Sequence, residues 1–144
     1  MNVKRKPAAR PKEVFLSHQT NDRLFADKLA KTLRKRKIPA WYSRTHLRGA
    51  QQWQDEIGQA LERCDWFIVI LSPSSVKSMW VKRELAYALD QQRFQNRIVP
   101  ILLRACDHKK LSWALASFQM VDFAKSFTAA SFSKVRAGLW RMTW

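Results

Sequence analysis

The chain has 144 residues, 47% of them hydrophobic, and its 27 Lys and Arg against 11 Asp and Glu give a formal charge of +16. That length and apolar content suit one domain around one core, and no run approaches the roughly 18 apolar residues that span a bilayer. Cys64 and Cys106, like His18, His46 and His108, lack the spacing of a disulfide framework or a zinc site, and without a signal-peptide core at the N-terminus a cytoplasmic location is expected.

Residues 1–12 carry charge, two prolines and almost no large apolar side chains, so they read as a basic disordered arm, with the folded domain over 13–144. Val14-Phe15-Leu16-Ser17 is a short apolar run ending in the polar His18 to Asp22, the pattern of a buried strand feeding a loop and a helix cap. The helix that follows places Leu24, Phe25, Leu29 and Leu33 on one face and ends in Arg34-Lys35-Arg36-Lys37, where cations complement the C-terminal dipole. Ala40-Trp41-Tyr42 reads as a second strand, and a loop from Ser43 to Gln51 contains Gly49. Trp53, Ile57, Ala60 and Leu61 then repeat with helical spacing.

Trp66-Phe67-Ile68-Val69-Ile70-Leu71 is the most apolar run in the chain, and continuous rather than alternating hydrophobicity marks a strand covered on both faces, at the centre of a parallel sheet. Ser72-Pro73-Ser74-Ser75 ends it, and a helix is predicted over 78–94. Residues 98–103 read as a fourth strand, 120–123 as a weaker fifth, and 131–142 as a closing helix. This alternation predicts an α/β fold: a flavodoxin-like, open, doubly wound sheet of five parallel strands with helices on both faces.

Such sheets bind ligands at the carboxyl ends of their strands. That edge would be lined by Ser17 to Asn21, Ser43 to Gln51 and Ser72 to Ser75, with Trp80 and Glu84 in the first two turns of the helix after the central strand. Trp80 and Glu84 are four residues apart, so an indole plane and a carboxylate share one helical face. By itself the pair reads first as a core Trp beside a solvated Glu, since helical pairs of this spacing are common. With only Gly49, Gly58 and Gly138, no dinucleotide-binding glycine loop or Walker loop can be built. No acidic cluster with a phospho-acceptor Asp ends the central strand, and no nucleophile elbow is present.

Val14-Phe15-Leu16-Ser17-His18, the Gly49 loop, Cys64-Asp65-Trp66-Phe67-Ile68-Val69-Ile70-Leu71-Ser72-Pro73 and Ser78-Met79-Trp80-Val81-Lys82-Arg83-Glu84-Leu85 occur in that order. In this combination the chain resembles a bacterial Toll/interleukin-1 receptor (TIR) domain from about Glu13 to Met142. The resemblance implies either an enzyme that cleaves NAD+ at the nicotinamide–ribose bond or a non-catalytic module that assembles with other TIR domains. Glu84 matches the family's catalytic Glu. Trp80 would wall the pocket, His18 and Gln19 would border nicotinamide or ribose, and Gly49 would sit in the loop that closes over the site. Gln19 departs from the aromatic or basic residue often found there.

Ser43, with Arg44 and Arg48, would meet the phosphates, a solvated or interface role for the two arginines being equally open, while Ser72 and Ser75 are cap and turn residues with a contact to substrate as the second reading. NAD+ is the substrate, and no separate cofactor is implied. The resemblance also implies TIR–TIR self-association, activation by a sensor or partner protein, and a role in bacterial immunity or as a virulence effector. Basic clusters at Lys4-Arg5-Lys6 and Arg34 to Lys37 raise nucleic acid as a further ligand, on charge alone.

Overall fold

The computed structural model describes residues 11–42 and 50–124, the side chains of 50–54 excepted. The basic arm up to residue 10, the Ser43, Arg44, Arg48 and Gly49 loop and the closing helix over 131–142 lie outside the described residues. Five strands form one parallel sheet: β1 (Val14–Ser17), β2 (Ala40–Trp41), β3 (Trp66–Leu71), β4 (Ile98–Leu102) and β5 (Val121–Asp122), in the order β2-β1-β3-β4-β5. Three α-helices are described: α1 (Arg23–Lys35), α2 (Ala50–Arg63) and α3 (Met79–Asp90).

The period-2 geometry of β3 explains why its hydrophobicity is continuous. Trp66, Ile68 and Ile70 face one layer with Phe25, Leu29 and Leu33 of α1, whereas Phe67, Val69 and Leu71 face the other with Ile57 and Leu61 of α2 and Val81 and Leu85 of α3. All six residues of β3 are buried. Phe15 from β1 stacks on Phe67 at 5.4 Å between ring centroids and on Trp41 at 5.2 Å, so aromatic packing locks the three strands together beneath the α2 and α3 layer. The arm's last residues are tied to this edge: Pro11 is buried, and the Lys12 and Glu13 amides donate to Asp65 Oδ1, each at 3.0 Å.

α1 ends without glycine. Lys37 takes the left-handed conformation at φ 62°, its amide donates to the Arg34 carbonyl at 2.9 Å, and the Ile38 amide donates to the Leu33 carbonyl at 3.0 Å. This is a Schellman closure, sealed by the contact of buried Ile38 with Leu33 in the core.

Two expectations are corrected. Leu24, placed by periodicity on the inner face of α1, is 86% exposed, because the buried arc is set by Phe25, Ala26, Leu29, Ala30 and Leu33. The helix expected over 78–94 runs only Met79–Asp90, with Ser78 as its cap accepting the Val81 amide at 3.3 Å. Gln91 is extended, and a separate turn over Gln92–Phe94 drives Phe94 fully into the core. That turn aims Arg93 at the end of α2, where its guanidinium donates to the Leu61 carbonyl and lies over the Phe94 ring at 4.8 Å. Arg93 therefore caps α2, satisfying a carbonyl that the helix itself leaves open.

Candidate functional site

The strand order reverses direction between β1 and β3, so the crevice outside their carboxyl ends is the topological switch point where doubly wound sheets bind ligands. Two loops meet there. Ser72, immediately after β3, donates its hydroxyl to Asp22 Oδ2 at 2.5 Å, and Asn21 Nδ2 donates to Ser74 Oγ at 3.2 Å. Asp22 is 5% exposed and Ser72 1%. Ser72 is bound in a second way: its amide donates to Ser75 Oγ at 2.8 Å, and the Ser75 amide donates back to Ser72 Oγ at 3.1 Å. A compact serine turn thus holds the β3 end, and Asp22 fastens it to the loop after β1.

Glu84 is a second buried carboxyl of this region, 9% exposed on the inner face of α3. Burial pushes its pKa up to about 8, since a carboxylate in an apolar setting loses its hydration. The opposing influence is the hydroxyl of Ser17, the last residue of β1, which favours the charged form. Ser17 is itself fully buried, and its Oγ makes no hydrogen bond of ordinary geometry among the described residues. A neutral Glu84 therefore faces the Ser17 hydroxyl at the switch point.

The other expected site residues divide. His18 follows Ser17 directly and packs edge-on against Tyr42 at 5.5 Å, and burial lowers its pKa, which keeps the ring neutral at neutral pH. Tyr42 donates its hydroxyl to Asp27 Oδ1 at 2.5 Å, so the His18 ring rests on an aromatic that is fixed from α1. Gln19 caps the short turn Thr20–Asp22, its Oε1 accepting the Asn21 amide at 2.6 Å. Trp80 is half-buried, with the Arg83 guanidinium over its ring at 5.5 Å, so the indole already takes a cation on one face. Ser43 and Gly49 lie outside the described residues.

Ser17 enters the sequence reading only as one end of the lined edge and Asp22 only as the end of a polar loop, neither with a role of its own. A polar residue closing an apolar strand is the signal for the first. Nothing local signals the second, whose partner lies 50 residues away.

A TIR-domain family profile matches residues 14–136, and the chain belongs to the TIR-domain family. The chain is 33% identical over 75 residues, 51% of its length, to the 2' cyclic ADP-D-ribose synthase BtTIR of Bacteroides thetaiotaomicron, and the match spans 26% of that protein. It therefore aligns with about a quarter of the curated relative. Among solved structures it is similar to the TIR domain of the Toll-related receptor TRR-2 from Hydra magnipapillata, at 22% identity and a TM-score of 0.65, over 89% of this chain and 91% of that one. It is also similar to a metazoan TIR-STING receptor from C. gigas in complex with 2',3'-cGAMP, at 19% identity and a TM-score of 0.69, over 96% of this chain and 42% of that one. At these identities the structures speak to the fold, a flavodoxin-like sheet with helices on both faces. No helix among the described residues is long and apolar enough to cross a membrane.

Proposed function

We propose that this chain cleaves NAD+ at the bond between nicotinamide and ribose, releasing neutral nicotinamide; water then adds to the ribose carbon to give ADP-ribose, or a nucleophilic atom of the same molecule adds to give a cyclic isomer, with one proton lost to solvent in either case. The observation that carries the reading is Glu84, a buried carboxyl on α3 facing the Ser17 hydroxyl at the switch point of a TIR-domain sheet. The partial match to a bacterial cyclic ADP-ribose synthase supports the same bond as the target.

The chemistry suits one carboxylate. Nicotinamide in NAD+ is a cationic pyridinium that departs neutral, so its departure needs no general acid. Positive charge develops instead on the ribose, and a carboxylate beside it stabilises the oxocarbenium-like transition state more than the ground state. Glu84 rests neutral because it is dry. An arriving pyridinium cation and hydrogen bonds from ribose hydroxyls both favour ionisation, so binding generates the carboxylate that the reaction uses. Ser17 then donates to that carboxylate and holds it in place. His18 borders the same edge as a neutral ring, and Trp80 offers a flat apolar wall.

Self-association of TIR domains completes or opens the site in this proposal, and a separate activating protein drives it, in a cytoplasmic immune or effector role. Incubating a concentration series of the protein with NAD+ and separating the products by chromatography and mass spectrometry tests the reading. Nicotinamide is expected, with ADP-ribose or a cyclic isomer, at a specific rate that rises with protein concentration. Intact NAD+ at every concentration, with and without a crowding agent, would favour the non-catalytic interaction module instead.

A further inference from the structure

The +16 charge plays no part in the chemistry above, and the structure concentrates much of it in one place. Residues 23–37 contain seven cations and a single acid, Asp27. With its apolar arc turned into the core, α1 presents Arg23, Lys28, Lys31, Arg34 and Lys35 outward, and Arg36 and Lys37 continue the surface past its end. All seven are exposed. Asp27 is drawn off this surface, because its carboxylate accepts the Tyr42 hydroxyl. Arg34 also donates to the Ala40 carbonyl of β2 at 3.2 Å, and the C-terminal dipole of α1 favours cations in its last turn, but Arg23 and Lys31 lie before that turn.

We propose that this outward face of α1 docks the phosphate backbone of duplex nucleic acid, without reading its sequence. A helix of 13 residues is about 20 Å long, and a duplex presents one phosphate charge per ~1.7 Å of axis, so several cations can engage phosphates at once. A dense and regular polyanion matches a face of seven exposed cations and one half-buried acid better than a protein surface of mixed sign does. No aromatic side chain stands on the outward arc to stack unpaired bases, which favours duplex over single strands. An anionic bilayer fits less well, since Leu24 is the one large apolar residue that this arc offers for insertion.

Retention of the full chain on a mixed-sequence 20-base-pair duplex, titrated with salt, tests the proposal. Contact with five phosphates predicts a slope of log affinity against log salt of roughly −4.5. Lys31→Glu, Lys35→Glu and Arg36→Glu together should reduce that slope by about three and weaken binding at low salt at least tenfold. The same three reversals at Arg104, Lys109 and Lys110, also exposed, should retain more of the binding. A circular-dichroism melt that matches wild type certifies each variant as folded; if the triple variant melts early, neutral replacement by Gln at the same three positions should give the same reduction in slope. Equal losses from both triple variants would assign binding to net charge rather than to α1 and overturn the proposal. So would tighter binding to polyglutamate or to phosphatidylserine vesicles than to the duplex at matched salt, or no retention on the duplex at low salt.

Discussion

The Glu84 carboxyl on α3 sits against the Ser17 hydroxyl at the end of β1, two buried polar groups brought together where the sheet reverses its strand order. Burying Glu84 has a measurable cost to folding, which the Ser17 hydroxyl only partly offsets. Glu84 is ionised in the unfolded chain above its ordinary value of 4.5 but stays neutral in the folded chain up to about 8. The folded state then binds more protons than the unfolded state across that window, so this residue's contribution to stability falls as pH rises through it, by up to ~1.4 kcal/mol per unit. His18 works oppositely: its lowered pKa adds stability above 6.5 that is lost as pH falls below it. Glu84→Gln isolates the first effect. Urea melts from about pH 5 to pH 8 should give a stability difference between variant and wild type that grows steadily in the variant's favour. A constant difference would place Glu84 in a wetter setting than the structure gives it.

The same titration governs turnover. For free enzyme and substrate, kcat/KM reports the ionisation of the unliganded site, where Glu84 must lose its proton before it can face a developing cation. It should rise about tenfold per pH unit from about pH 6 and level off near 8. The profile of kcat should break at lower pH, because bound NAD+ favours the carboxylate. Steady-state rates of nicotinamide release across this range check both, and a kcat/KM flat from about pH 6 upward would contradict the resting state described.

Much of this arrangement was legible in the chain itself, for identifiable reasons. β3 announced itself because six consecutive apolar residues need cover on both faces, and the two layers around it follow from period-2 geometry. Glu84 was legible from its helix and its family resemblance, but its dryness was not. Burial depends on β1 crossing in front of α3, and that contact joins residues distant in sequence. α3 was read too long because Phe94 continues the apolar pattern, although it enters the core from a separate turn. The turns over His108–Lys110 and Trp113–Ser117 gave no signal, since segments that short have no period to detect.

Removing the Ser72 hydroxyl should loosen the switch point. Ser72→Ala leaves the Asp22 carboxylate, 5% exposed, without the O–H that it accepts, and leaves the Ser75 amide without an acceptor. A buried group stranded in this way costs about 2–3 kcal/mol. Asp22→Asn keeps an acceptor for Ser72 and should cost less, about 1 kcal/mol. Urea unfolding midpoints at unchanged m-value measure both, and a Ser72→Ala protein as stable as wild type would contradict the staple.

Arg93 offers a test away from the site. Its guanidinium reaches the Leu61 carbonyl while lying 4.8 Å from the Phe94 ring and 5.7 Å from the Tyr87 ring, a geometry that needs a planar cation. Arg93→Lys and Arg93→Ala should each lose about 1–2 kcal/mol in the same melts. Full retention by the lysine variant would mean that charge alone, rather than the flat stacked fork, caps α2.

Nicotinamide release by Glu84→Gln, set beside wild type at matched high protein concentration, bears most directly on the NAD+ reading. Gln preserves shape and cannot become an anion, so the variant should fold at least as well while its rate falls by on the order of 100-fold or more. Wild-type turnover that persists undiminished in folded Glu84→Gln would contradict the assignment of Glu84 as the catalytic carboxylate.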